Sequence, residues 1–212
     1  MISEADQEQL LQNLQVFKIK GKDKSGRKIL QIFGKFFPAR IVSVEVVNKF
    51  LREKIFPDLE NRPFAVLYFH TGVEKNENFL GISALRSLYD SIPAAVRQNL
   101  EAVYFVHPGL QSRLYLATVG RIMFTGGLYG KLRYVTRLAY LWDHVRRNAV
   151  EIPEYVHDHD ADLEYRPMMD YGFENRDRSH EGVRCTRAGF PRSNALNEMH
   201  LLVSLLFSTT TS

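Results

Sequence analysis

Hydrophobic and polar positions change their period several times along this chain, and each change marks an element. Between Ser3 and Leu14 the apolar residues Leu10, Leu11 and Leu14 form one edge of a polar segment. Ser3 and Asp6 have capping-box spacing, so a short helix is predicted. The period then drops to two: Phe17 and Ile19 alternate with Lys18 and Lys20, as in a strand with one polar face. Gly21 to Gly26 (GKDKSG) has turn composition, and Ile29 to Phe33 predicts a second strand, giving a hairpin at a sheet edge. After Pro38 the pattern becomes helical, with Val44, Val47, Leu51 and Ile55 on one stripe, Ser43 as the cap and Pro57 as the stop.

Two continuous apolar runs follow, Phe64 to Phe69 (FAVLYF) and Ala102 to Val106 (AVYFV). Such runs suit strands buried on both faces. Each ends in a histidine turn, His70-Thr71-Gly72 and His107-Pro108-Gly109. Leu85, Leu88, Tyr89 and Ile92 between them have helical spacing that closes near Pro93. Tyr115, Val119, Ile122 and Met123 mark a further helix, broken by Thr125 to Gly130 (TGGLYG). Arg133 to Thr136 reads as a short strand, and Leu138, Leu141 and Val145 as a last helical stripe. Alternating strands and helices with connections of this length predict an α/β fold: a mainly parallel sheet covered by helices, with right-handed crossovers and an antiparallel edge hairpin. No internal repeat is visible. Beyond Tyr165 the pattern fades into polar (Asn175 to His180) and low-complexity (Ser208 to Ser212) stretches. The expected organisation is a domain over 1–165 and a poorly defined tail over 166–212.

Composition narrows the class. A 212-residue chain that is 45% hydrophobic fits one domain with a real core. The longest apolar tail segment, Leu201 to Phe207, is far short of the roughly 18 residues of a membrane span. The polar, acidic opening does not read as a secretory signal, and lone Cys185 allows no internal disulfide. A cytoplasmic protein, at most peripheral at membranes, is expected. The net charge of +4 is modest, yet its distribution is uneven. Arg113, Arg121, Lys131, Arg133, Arg137, Arg146 and Arg147 stand against Asp143 alone, and an acidic stretch from Glu151 to Glu164 follows. The basic block either meets phosphates or an acidic surface, or is a set of solvated helix faces neutralised by that stretch.

Motifs for chemistry are sparse. Gly126-Gly127 and Gly130-Lys131 lack the spacing of a phosphate-binding loop, and no dinucleotide or nucleophile-elbow pattern is present. No cofactor is implied. His157, Asp158, His159, Asp160 and Asp162 are the densest potential metal ligands, with both histidines on one side of an extended segment. Without a Cys or a helical HExxH pair, a solvated acidic linker is the expected reading, and no metal site is assigned. His70 and His107 each close a predicted buried strand at its carboxyl end, where ligands gather in open sheets; if those strands are neighbours, the two imidazoles lie close together at that rim. They read either as caps bonding backbone or loop carbonyls, or as a rim pair for hydrolysis with no nucleophile to name, Glu74 and Glu77 being the nearest acids. Cys185 lies in the polar tail and is no candidate thiol. The aromatics of the basic block are spaced as core residues, so no nucleic-acid partner is expected.

The segment order and wording resemble the divergent CRAL-TRIO, or BCH, family. The likeness rests on FAVLYFHTG (Phe64 to Gly72), LRSLYDSIPAAVRQNLEAVYFVHPG (Leu85 to Gly109), GGLYGKLRYV (Gly126 to Val135) and LAYLWDHVRRNAVEIPEYV (Leu138 to Val156). It is nearest to plant-type phosphatidylinositol-transfer-like proteins of the ganglioside-induced differentiation-associated class. The resemblance implies a parallel-sheet domain that binds rather than catalyses. It implies a phosphoinositide or other phospholipid in an apolar pocket over the sheet, or else scaffolding of small GTPases, their regulators, or a second copy. Tyr68 and Tyr104, with Phe69 and Phe105, would line such a pocket or fill the core, and Lys131 and Arg133 would hold a head-group phosphate. His70 and His107 complete the candidate ligand-binding set; no catalytic residue is assigned. The family's gate helix would fall at Tyr115 to Leu128, which is only moderately apolar. Relatives often carry a macrodomain ahead of this module; only about 60 residues precede the first central strand here, so none is expected.

Overall fold

The computed structural model of the chain describes residues 2–120 and 128–165. Its centre is a five-stranded sheet in the order β1-β2-β3-β4-β5: β1 Phe17–Lys22, β2 Lys28–Phe33, β3 Phe64–Phe69, β4 Leu100–Val106 and β5 Leu132–Val135. β1 runs antiparallel to β2, and the remaining pairs are parallel. The α/β fold with a mainly parallel sheet and an antiparallel edge hairpin is therefore the observed one. Each parallel strand is laid beside the one before it, always in the same direction. Right-handed crossovers that step one way all fall on one face of the sheet. That crossover face carries Leu30, Phe64 and the partly buried Ile32 and Val66. Helices α1 (Glu4–Asn13), α2 (Val44–Phe50), α4 (Ile82–Asp90) and α5 (Ala94–Asn99) pack on it through residues such as Leu11, Val46, Phe50, Leu88 and Val96. A single turn, α3 (Lys75–Asn78), precedes α4.

The other face would stay bare without the last part of the chain. Ile29, Phe33, Leu67, Phe69, Tyr104 and Val106 lie there, covered by Leu138, Leu141, Val145, Val150 and Val156. Burying one such side chain is worth about 1.5–3 kcal/mol. The cover consists of a short helix α8 (Leu138–Leu141), an irregular stretch and helix α9 (Glu154–Tyr165). Helices α6 (Leu110–Tyr115) and α7 (Leu128–Lys131) complete the set named here.

The edge hairpin closes onto this cover. Asp23 forms a bridge with Val145, and the Lys24 amide donates to the His144 carbonyl at 2.9 Å. Lys18 and Lys20 both reach Glu151, at 2.7 and 3.0 Å. Buried Asp23 receives the Arg27 guanidinium at 2.6 Å and the Arg27 amide at 2.9 Å, which shapes the turn. Gly21 sits at φ +83°, and a Cβ there would lie 1.8 Å from the Ala149 carbonyl oxygen, so only glycine allows this approach.

Caps fall where expected: the Ser3 hydroxyl accepts from the Asp6 amide and the Ser43 hydroxyl from the Val46 amide. Two expectations are corrected. The stretch with His157 and His159 is helix α9, not an extended acidic linker. Two residues two apart on a helix point in nearly opposite directions, so the histidines do not share a side. The last helical stripe is one turn only; Val145 leaves it to bridge Asp23. The gate stretch Tyr115 to Leu128 is described only at its ends, with residues 121–127 outside the described residues. The tail from 166 onward lies outside them as well.

Candidate functional site

The crossover face is not completely filled. A cavity of about 710 Å³ lies on it, floored by Leu30, Ile32, Phe64, Val66 and Leu100. Leu51 and Phe56 close one side; Leu85, Leu88, Tyr89 and Ile92 of the α4 region close the other. The wall is amphipathic by design of its sequence: Leu85 and Leu88 turn inward while Arg86, Ser87 and Asp90 are exposed. Ser91 fastens this wall to α2 through the Asn48 side chain and to α4 through the Leu88 carbonyl at 2.7 Å. Of the described lining residues, Arg97, Gln98 and Lys131 have polar or charged ends and Tyr89 a phenol, and none is acidic. Arg97 lies with its guanidinium 5.9 Å from the Tyr89 ring centroid, and Lys131 donates its ammonium to the Leu100 carbonyl.

The expected pocket residues do not all meet here. Lys131 lines the cavity, but Arg133 is paired with Tyr104 across the β4–β5 ladder and shares that residue's face, the opposite one. Its guanidinium instead donates to the Gly130 and Leu132 carbonyls. Lys131 ends helix α7, so strand alternation does not bring it beside Arg133. Tyr68 and Tyr104 are likewise on opposite faces, because Tyr104 stands level with Leu67 rather than with Tyr68. Tyr104 is buried in the covered core, stacks on His144 with 5.0 Å between centroids, and accepts from Arg27 at 3.3 Å. Phe69 belongs to the same core, stacked on Phe33. Tyr68 stays on the crossover face, stacked with Phe105 at 5.1 Å.

At the carboxyl rim, His70 and His107 turn to different layers. His70 stacks on Phe105, its Nε2 meets the Ser112 hydroxyl at 2.7 Å, and its Nδ1 lies 3.4 Å from the Tyr68 hydroxyl. Burial pushes His70 down to about 4 and Tyr68 up to about 12. His107 sits in the left-handed region at φ +51°. Its Nδ1 meets the Thr71 hydroxyl at 2.8 Å and its Nε2 the Asp160 carboxylate at 3.0 Å. Asp160 also accepts from the Leu138 amide at 2.8 Å, so one carboxylate ties strand end, α8 and α9 together. The histidines therefore bond hydroxyls and a carboxylate rather than the expected carbonyls. Ser112 and Asp160 were missed as partners: each is dozens of residues distant, and nothing local marks it.

Neither set is built for nucleophilic catalysis. A base near 4 is far from the pKa that serves near neutral pH. The far nitrogen of His70 faces a neutral phenol, where a triad has a carboxylate to stabilise imidazolium. Thr71–His107–Asp160 has the carboxylate, but Thr71 and His107 are 3% and 6% exposed, out of a substrate's reach. Among the described residues no group of three or more His, Cys, Asp or Glu is placed to hold a metal, and no helix is long and apolar enough to cross a membrane.

These features belong to a sheet-and-helix domain with an apolar cavity on its crossover face. The family described as "Divergent CRAL/TRIO domain" matches residues 26–162, and the chain belongs to that family. It is similar to "Ganglioside-induced differentiation-associated protein 2" of Xenopus laevis, 30% identical over 142 residues, covering 66% of this chain and 28% of that protein. It is also similar to "Protein GDAP2 homolog" of Drosophila melanogaster, 26% identical over 140 residues, covering 66% of this chain and 25% of that one. The matched part is thus little more than a quarter of these relatives' length. A solved structure, "Crystal structure of Sfh5", aligns with TM-score 0.44 and 13% identity over 65% of this chain and 54% of the other.

Proposed function

We propose that this domain binds a lipid without chemically changing it, with the apolar part in the crossover-face cavity and the head at its mouth. The cavity carries this reading. Its volume lies in the range of small-molecule sites, and its lining is apolar with few polar groups. Family membership supports it, as does the poor fit of both rim histidines to nucleophilic catalysis. A cytoplasmic carrier or sensor of phospholipid or another hydrophobic ligand, touching membranes only peripherally, follows from it. The test is native mass spectrometry of the purified chain with extraction of any bound lipid. A stoichiometric lipid, lost in a Val66→Trp variant that fills the cavity, is the expected result; a bare chain that also refuses added lipids would overturn the reading.

A second reading is a protein-interaction scaffold, for small GTPases or for a second copy. It is favoured by Leu110 and Leu114, 43% and 52% exposed one turn apart on α6. Leu110→Ser with Leu114→Ser would abolish capture of a GTPase or a dimer under that reading and leave lipid binding unchanged under the first.

A further inference from the structure

We propose that Lys22, Lys24, Arg146 and Arg147, on the outer side of the edge hairpin and its cover, form a docking surface for an anionic membrane. This rests on the reading of a lipid binder that touches membranes, and adds where and through which charge it touches them. None of the four residues lines the cavity.

Two segments meet here. The hairpin from Lys18 to Lys28 holds six cations, with Asp23 its only acid. The stretch from Leu138 to Val150 brings Arg146 and Arg147, with Asp143 its only acid. Asp23 pairs antiparallel with Val145, and the Lys24 amide donates to the His144 carbonyl at 2.9 Å. The neighbours of an antiparallel bridge stand opposite each other, so Lys22 faces Arg146 and Lys24 faces His144. Asp23 and Val145 are 3% and 0% exposed and point inward, and the four residues flanking them are all exposed.

Like charges directly opposite each other, with about 5 Å between Cβ atoms, repel. The nearby acids do not relieve them. Asp23 is taken by Arg27 at 2.6 Å, and Glu151 by Lys18 and Lys20 at 2.7 and 3.0 Å. Among the described residues Lys22, Lys24, Arg146 and Arg147 have no ion pair, and exposed Asp143 is the one acid left. Nor do these cations guard an open strand edge, because Val145 already pairs with it here.

The rest of the patch selects the partner. No large hydrophobic side chain of 20–28 or 143–149 is exposed, so the apolar centre of a protein interface is lacking. His144 is stacked on Tyr104 at 5.0 Å and Arg147 lies over Trp142 at 5.6 Å, so neither ring is set out as a platform for a nucleic-acid base. Anionic head groups ask only for clustered cations.

The experiment sediments the full chain with vesicles of dioleoyl phosphatidylcholine, alone or with about one fifth dioleoyl phosphatidylserine, at about 0.05 and 0.5 M salt. Binding to a short single-stranded oligonucleotide is measured beside it. Binding to the anionic vesicles alone, lost at high salt, is expected. Each cation removed should weaken it about fivefold, so Lys22→Gln, Lys24→Gln and Arg146→Gln together should weaken it about a hundredfold. Arg52→Gln, Lys54→Gln and Arg62→Gln together, an equal charge loss elsewhere on the surface, should change it little. Val66→Trp should keep vesicle binding while the cavity loses its lipid. If the triple variant does not fold, Lys24→Gln alone replaces it, with about a fivefold loss expected. Equal binding to neutral vesicles, unchanged binding of the patch variant, an equal loss in the control variant, or tighter binding to the oligonucleotide overturns the docking surface and leaves the cavity reading standing.

Discussion

His70 shows how a single side chain can make the domain sensitive to acid. Its folded pKa is about 4 because burial penalises the imidazolium, against 6.5 for the free side chain. Above pH 6.5 the ring is neutral in both folded and unfolded chains and contributes no pH dependence. Between 6.5 and 4 the unfolded chain takes a proton that the folded one refuses, so stability falls as pH falls, by about 3 kcal/mol across the window. Urea unfolding of the wild type and His70→Gln at pH 7.5 and 4.5 checks this; the variant should lose distinctly less. Parallel losses in both would show that His70 is not the group responsible. At Gly21 the argument is steric. Gly21→Ala places a methyl group on the Ala149 carbonyl at a left-handed φ, and about 3 kcal/mol should be lost in the same denaturation assay. Both histidines could be placed at strand ends from their turns, because an apolar run stopped by His-Thr-Gly or His-Pro-Gly is a local signal. Their partners could not: Ser112 is 42 residues from His70, and Asp160 is 53 from His107. The need for glycine at position 21 was equally hidden, since it arises from a segment more than a hundred residues away.

Among elements, strands were the more legible. β3 begins and ends where its apolar run does, because a strand buried on both faces leaves no polar position inside it. Helix α9 was not legible: Val156 is fully buried, but acids and histidines occupy most of its other positions and mask the period. Beside the packing of Val156, one carboxylate ties α9 to the rest: Asp160, bonded to His107 and to the Leu138 amide. Asp160→Ala should cost about 2 kcal/mol and raise hydrogen exchange first in α8 and α9 while β3 and β4 stay protected. Uniform exchange across the sheet would show that the three are not held as a separable layer. Glu151→Gln is the contrasting case. Its ion pairs with Lys18 and Lys20 are exposed and screened, so little change in stability is expected. The same limit on legibility applies to the head-group cations. Lys131 and Arg133 look like a pair in sequence, but a helix end separates them. Arg97, the other cation lining the cavity, lies beyond the helical stripe that closes near Pro93, where no pattern marks it.

On the scale of the molecule, the proposed domain of 1–165 should fold when the chain is cut after Tyr165, with an unchanged cooperative melt and unchanged lipid binding. A truncated chain that aggregates would move the boundary outward. The fold class was readable because strand and helix periods alternate, whereas the winding direction was not, since order in a sheet is a property of packing and leaves no mark on any one segment. That winding has a consequence in time. Every strand lies beside its predecessor, so a chain emerging from the ribosome can add β2, β3, β4 and β5 one after another without waiting for a distant partner. The layer that protects Ile29, Leu67, Phe69 and Val106 is made after all of them. Until it emerges, the newborn sheet shows one whole greasy side to the cell, and chaperone dependence should peak in that interval and fade once Val156 has left the exit tunnel.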